Sequence, residues 1–263
     1  MNAPLYPLEG VVSWNMNTTC NYRCSYCTQR FLDDRAQWAQ DLPTFVEALL
    51  ALPGDWAVKL SGGEPFRHPG FLGAVEALAR GGRRVGVVTN LAASRERLAH
   101  FAEAVATRPG VVSASLHLEY VSSEAFLAKV KWYAGVHRGP MVVTCVATRE
   151  NLSRLHALKG QFEAAGLSFR VQPEKKDRDV IAYTKAERAE ILALGGHNDT
   201  GLVHRYLVVD HRGEAWRCYP ARRYRKEYLG NLLDGTLHLQ LRATPCPYRY
   251  CNCTVPRQRG MVM

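Results

Sequence analysis

From residue 10 onward the chain alternates short β-branched and aromatic runs with longer amphipathic stretches, and this rhythm confines it to a fold of repeated βα units. The spacing predicts strands near 10–16, 56–61, 84–89, 111–118, 141–147 and 167–172. Helical spacing recurs between them: Phe71, Val75 and Leu78, Leu98, Phe101 and Val105, and Phe126, Val130 and Tyr133 each line one face, as do Leu152, Leu155, Leu158 and Phe162. Asp41 ahead of Leu42 and Pro43, Ser94 and Ser122 stand where helix N-caps are expected. Six parallel strands with crossover helices close most of a barrel, and chemistry in such folds gathers at the C-terminal ends of the strands.

A length of 263 residues, 47% of them hydrophobic, suffices for one large domain or a large one with a small one. No run approaches the ~20 apolar residues of a membrane span. Residues 1–9 show neither the basic nor the apolar region of a signal peptide, so the expectation is a cytoplasmic chain. The balance of 34 Lys and Arg against 24 Asp and Glu gives +10, densest at Arg222, Arg223, Arg225 and Lys226 around Tyr224. Such a run reads either as a solvated basic face or as an anion-contacting surface.

The eight cysteines form two clusters and an outlier. In a reducing compartment clustering points to metal rather than to disulfides. Cys20, Cys24 and Cys27 make a C-x3-C-x2-C triplet on a short loop after the first strand. Structural zinc wants four protein ligands, usually as C-x2-C pairs, whereas three thiolates on a 4Fe-4S cubane leave one iron open to another ligand. Cys145, alone in an apolar run, reads as a small packing residue.

The triplet, with Tyr26 just before its last cysteine, resembles the signature of the radical S-adenosylmethionine (radical SAM) superfamily. Gly62, Gly63, Glu64 and Pro65, one strand later, resemble that superfamily's Gly-Gly-Glu element. The resemblance covers roughly residues 10–180 and implies a partial (β/α)6 TIM-like barrel. It implies a 4Fe-4S cluster on Cys20, Cys24 and Cys27, S-adenosyl-L-methionine on its open iron, Tyr26 beside the adenine, and Gly62, Gly63 and Glu64 at the methionyl end. Glycines allow close backbone approach, and a carboxylate accepts from an ammonium. Asn90, Ser115, His117, Glu119 and Gln172, at later strand ends, are the remaining candidates for the cofactor site. The plainer reading of each is a hydrogen-bonded structural residue.

After residue 180 the βα rhythm stops, which sets a boundary between a core at 1–180 and a tail at 181–263. The tail reads as a helix near 184–194 and a β-hairpin that turns at Gly213 and ends at Cys218, with Cys246, Cys251 and Cys253 following. This arrangement resembles the twitch or SPASM-like extension of some radical SAM enzymes. It departs from that pattern in lacking a cysteine before the hairpin and in carrying a Cys-x-Cys. The resemblance implies a second, auxiliary 4Fe-4S cluster on Cys218, Cys246, Cys251 and Cys253, although four thiolates suit structural zinc as well.

The chemistry so implied is reductive cleavage of S-adenosylmethionine to a 5′-deoxyadenosyl radical, hydrogen abstraction, and a net oxidation or cross-link, with the protein supplying orientation and exclusion of solvent. A flavodoxin- or ferredoxin-type electron donor is the expected partner. No added domain suited to a peptide leader is expected, which favours a small anionic metabolite or natural-product intermediate over a short or ribosomal peptide, with nucleic acid third. The contrasting class, a zinc-stabilised nucleic-acid-binding protein, has no need for the cysteine triplet or for Gly-Gly-Glu.

Overall fold

Along residues 56–62, Trp56, Val58 and Leu60 alternate with Ala57, Lys59 and Ser61, and the computed structural model turns the first set onto a helical layer and the second inward. It describes residues 10–29, 38–176, 179–195 and 206–239. The six expected strands form as β1 (Gly10–Asn17), β2 (Trp56–Gly62), β3 (Arg84–Thr89), β4 (Pro109–Leu116), β5 (Met141–Ala147) and β6 (Ser168–Pro173). Each runs parallel to the next. β4 begins two residues before its expected start, and His117 lies just past its end, where its carbonyl already accepts from Tyr120 in a turn.

The crossovers are α1 (Trp38–Ala51), α2 (Phe71–Arg80), α3 (Arg95–Ala104), α4 (Ser123–Ala134) and α5 (Leu155–Glu163), with α6 (Lys185–Ala193) after β6. Their apolar stripes are buried as the spacing predicts: Val75, Leu78, Leu98, Phe101, Val130, Tyr133, Leu155 and Phe162 expose no surface. Ser94 and Ser122 cap α3 and α4 by accepting from Arg97 and Ala125. The expected cap at Asp41 is corrected, because α1 starts about one turn earlier and carries Pro43 inside it. Proline there forfeits one hydrogen bond, and burial of Phe45, Val46 and Leu49 offsets that loss. Cys145 is buried on the helix-facing side of β5, as a packing residue should be.

The tail hairpin joins the main sheet. β9 (Tyr206–Val209) pairs parallel with β1, and β10 (Glu214–Trp216) and β11 (Tyr228–Asn231) follow antiparallel, giving the order β11-β10-β9-β1-β2-β3-β4-β5-β6. Gly213 makes the turn at φ +83°, and a Cβ there would meet Asn231 and Leu233. A two-stranded ribbon, β7 (Lys175–Lys176) with β8 (Asp179–Val180), caps the exit of β6. The short α7 (Tyr219–Tyr224) follows β10 and reaches the far side of the sheet, where Arg223 donates to the Lys176 carbonyl. That contact ties the hairpin end of the open sheet to the chain just beyond β6, as in a partial barrel. Among the described residues no helix is long and apolar enough to cross a membrane.

His137, 3% exposed after α4, carries a pH dependence. Its Nε2 lies 3.1 Å from the Gly110 carbonyl while Nδ1 is buried without a partner, and burial holds its pKa below the ordinary imidazole value. The fold therefore favours the neutral ring, and stability should fall as pH drops below about 6.5, by at most about 1.4 kcal/mol per pH unit. Chemical denaturation of His137→Gln should show a flatter acid limb than that of the wild type, and an unchanged limb would contradict this assignment.

Candidate functional site

The first strand ends in Asn17, and the chain then crosses the mouth of the barrel as the cysteine loop. Three hydrogen bonds fix how it crosses. Gly63 donates to the Asn17 carbonyl and Glu64 to that of Thr19, each at 2.9 Å, and the Asn17 side-chain amide donates to the Glu64 carbonyl at 3.1 Å. The approach is so close that a Cβ on Gly63 would be driven into the Thr19 carbonyl, and one on Gly62, at φ +136°, into Asn17. The two glycines thus let strand β2 dock against the cysteine loop.

Glu64 is 2% exposed, and both carboxylate oxygens are engaged. One accepts from Thr89 Oγ1 at 2.8 Å and from the Phe66 N–H at 3.2 Å, the other from the Asn90 N–H at 2.8 Å. Burial pushes its pKa up to about 7, against the pull of those donors. Beside it opens a cavity of about 450 Å³, lined by Asn21, Glu64, Arg67, Ser94 and Arg97 among others. A buried acceptor and two guanidinium groups on one cavity suit a zwitterion, whose ammonium would face the carboxylate and whose carboxylate would face the arginines.

The strand-end candidates converge on the same loop. Asn90 is buried, and its amide donates to Asn21 Oδ1 at 2.9 Å while its own Oδ1 accepts from Ala92. His117 Nδ1 lies 2.8 Å from the Tyr26 hydroxyl and 3.3 Å from Cys24 Sγ, and burial lowers its pKa to about 4, so the ring is neutral. Glu119 accepts from the Ser25 hydroxyl and, at 3.0 Å, from the Ser25 N–H. Ser115 and Gln172 lie on the inward face, where Ser115 accepts from Thr144 at 3.4 Å.

Sequence reasoning missed Tyr120, which stacks on Tyr22 at 4.1 Å and accepts from the Arg23 N–H, and it missed Asn21, Arg67 and Arg97. None of these carries a spacing signal of its own. Each is defined only once the loop is laid over the ends of β3 and β4.

Cys20 and Cys24 are half-buried and Cys27 is exposed. Burial raises all three thiol pKa values, that of Cys24 to about 11. Three thiolates on one short loop suit a polynuclear cluster, in which each would hold a different iron. An all-thiolate set on a loop seated next to a buried carboxylate thus fits an iron–sulfur cluster better than a mononuclear site. Cys218 is 2% exposed, and its sulfur accepts from the Ala221 N–H at the start of α7. Cys246, Cys251 and Cys253 lie outside the described residues.

Residues 14–141 match the family model described as the Radical SAM superfamily. Among solved structures, Streptococcus suis SuiB bound to S-adenosylmethionine is similar over 87% of this chain, with a TM-score of 0.61 and 12% identity. The chain spans 64% of the length of that SuiB chain. SuiB bound to precursor peptide SuiA gives a TM-score of 0.55 at 13% identity, over 89% of this chain and 66% of that one. A histidine-tagged anSMEcpe with bound AdoMet gives 0.59 at 16% identity, over 88% and 79%. At these identities the likeness is one of fold. No curated protein matches the chain in sequence.

Proposed function

A radical SAM domain spans residues 14–141, and from that premise we propose that the chain reductively cleaves S-adenosylmethionine and uses the resulting radical to oxidise a small anionic metabolite or natural-product intermediate. The observation that carries this reading is the strapping of Cys20, Cys24 and Cys27 across the ends of β2, β3 and β4, beside the Glu64 cavity. When bound, a 4Fe-4S cluster and S-adenosylmethionine would together supply an electron and a 5′-deoxyadenosyl radical for hydrogen abstraction.

The chain's own residues do the rest. Cys20, Cys24 and Cys27 hold the cluster. Glu64 takes the methionyl ammonium, with Arg67 and Arg97 facing its carboxylate across the same cavity. Tyr26, fixed by His117, stands at the loop surface where the adenine is expected. Asn90, His117 and Glu119 anchor the loop at Asn21, Cys24 and Ser25, keeping the thiolates in register with Glu64. Cys218, with Cys246, Cys251 and Cys253, would hold an auxiliary 4Fe-4S cluster, which would supply an acceptor for the electron left on the substrate. The electron donor is of flavodoxin or ferredoxin type. A peptide substrate is the second reading, favoured by the fold shared with the SuiB that binds SuiA.

Metal and sulfide analysis with electron paramagnetic resonance, on protein reconstituted without oxygen, tests the proposal. About eight irons and eight sulfides per chain, with a spectrum perturbed by S-adenosylmethionine, is the expected result. About four irons with one zinc would keep the radical enzyme but make the tail a structural clip, and zinc alone would overturn the reading.

A further inference from the structure

The basic run that follows Cys218 takes no part in the site at the barrel mouth, and it closes α7 in a turn that few side chains tolerate. Arg225 sits at φ +52° and Glu227 at φ +50°, the left-handed region where glycine is the usual occupant. Such backbone is costly for a residue with a Cβ and persists only where its surroundings impose it. Here they do. The N–H groups of Arg225 and Lys226 donate to the Arg222 and Ala221 carbonyls at 3.2 and 2.9 Å, which closes the helix end. Beneath the turn Arg217, whose side chain is 6% exposed, holds the Glu227 carboxylate at 2.8 Å.

The turn carries its charge outward. Arg225 and Lys226 are exposed, and among the described residues neither side chain makes an ion pair or a hydrogen bond. Arg222, by contrast, is engaged by Asp210 at 3.3 Å and lies over the Trp216 ring. Tyr224 and Tyr228 flank the pair, 39% and 54% exposed. Lys176, also exposed, lies alongside, because Arg223 donates to its carbonyl. Exposed tyrosine beside exposed arginine is the composition of a protein interface, whereas a merely solvated face is rich in lysine and glutamate.

This tip stands one short helix from Cys218. The Ala221 N–H donates to the Cys218 sulfur and the Ala221 carbonyl accepts from Lys226, so the 6 residues of α7 set the separation, about 9 Å. With unpaired cations at the tip and +10 on the whole chain, the partner drawn to this face is acidic. A nucleic-acid strand fits it less well. Desolvation, then the charges of Glu214, Asp234 and Asp210, raise the Tyr228 pKa, and a run of phosphates laid over that ring would meet the same carboxylates. A folded partner can set its own carboxylates against the tip alone.

We propose that Tyr224, Arg225, Lys226 and Tyr228 form the docking surface for a small acidic redox carrier, the electron donor of the proposed reaction. The proposal rests on that reaction's need for a donor and adds where the donor binds. Arg225 and Lys226 supply the attraction and the two tyrosines the contact area. The ion pair of Arg217 with Glu227 keeps the turn in shape.

Calorimetric titration of the full-length reconstituted protein with an acidic flavodoxin and, separately, with an acidic ferredoxin tests the surface. Saturable binding of either probe at about one per chain is expected, weakening as salt is raised. Arg225→Glu combined with Lys226→Glu should weaken it by at least about tenfold, and Tyr228→Ala by about threefold or more. Arg138→Glu, which alters an exposed arginine ahead of β5, should leave the affinity as it is. Arg225→Gly separates docking from folding. It relieves the left-handed turn and removes one charge, so it should melt no lower than wild type and yet bind about threefold more weakly. No saturable binding of either probe, wild-type affinity in the double variant, or a tenfold loss in Arg138→Glu would each overturn the proposal. So would tighter binding of a poly(U) oligonucleotide that the double variant abolishes, which would assign the surface to nucleic acid. Cleavage of S-adenosylmethionine driven by dithionite is scored separately and should be unchanged in the double variant. A wild type that cleaves with dithionite but binds neither carrier refutes only this proposal, whereas one that cleaves nothing refutes the reading beneath it.

Discussion

Cys24→Ala should reduce formation of 5′-deoxyadenosine from S-adenosylmethionine by at least about a thousandfold under anaerobic reduction, equivalent to about 4 kcal/mol in the barrier. Cys24 is the middle thiolate of the triplet, and its sulfur sits 3.3 Å from His117 Nδ1, next to the ring that also fixes Tyr26. Its loss leaves two thiolates for a centre that needs three and removes one of the ties between the loop and β4. Iron content should fall by about four per chain. Cys145→Ala is the matched control, because that thiol is buried on the helix side of β5 and faces no ligand. It should retain cleavage and lose about 1 kcal/mol of stability. Cleavage by Cys24→Ala within tenfold of wild type would remove the triplet from the account.

The barrel was legible because each of its signals is local. Apolar residues at i, i+3 or i+4 and i+7 fix a helix face, and Ser94 and Ser122 cap α3 and α4 through contacts three residues long. What escaped was non-local. The parallel pairing of β9 with β1 joins Val11 to Tyr206, and nothing in a four-residue apolar strand says which edge it will take. The same holds for the strand-end polar residues. His117 and Glu119 stood out by position, but their engagement with Cys24, Tyr26 and Ser25, more than ninety residues away in sequence, emerges only when the loop is laid across the barrel mouth. Lys59 read as one more strand residue until its register with Ser13 and its reach over Gly86 turned it inward. The start of α1 was misjudged for the opposite reason: Asp41 before Pro43 is a strong local signal, yet the helix runs through it from Trp38.

Gly63→Ala should prove as damaging as the loss of a ligand, through packing rather than chemistry. The backbones of residues 17–19 and 62–64 are held together by Gly63 to Asn17 and Glu64 to Thr19, and a methyl group on Gly63 points straight at the Thr19 carbonyl. A carbonyl locked in a hydrogen bond has little freedom to yield, so the loop must move. Overpacking costs about 1–3 kcal/mol and each lost hydrogen bond about 1 kcal/mol, for a total of about 4 kcal/mol. In a chain of this size that lowers Tm by roughly 10 °C. The displacement acts one residue before Cys20, so retained iron should fall along with stability. Gly160→Ala provides the comparison, because a Cβ there meets nothing within 4 Å and the position lies inside α5. It should gain up to about 1 kcal/mol from helix propensity. Calorimetry and iron analysis on both variants decide the point. A Gly63→Ala protein with wild-type Tm and a full complement of iron would mean that the docking of β2 against the loop does not seat the cysteines, and that the glycine pair answers only to the ligand at Glu64.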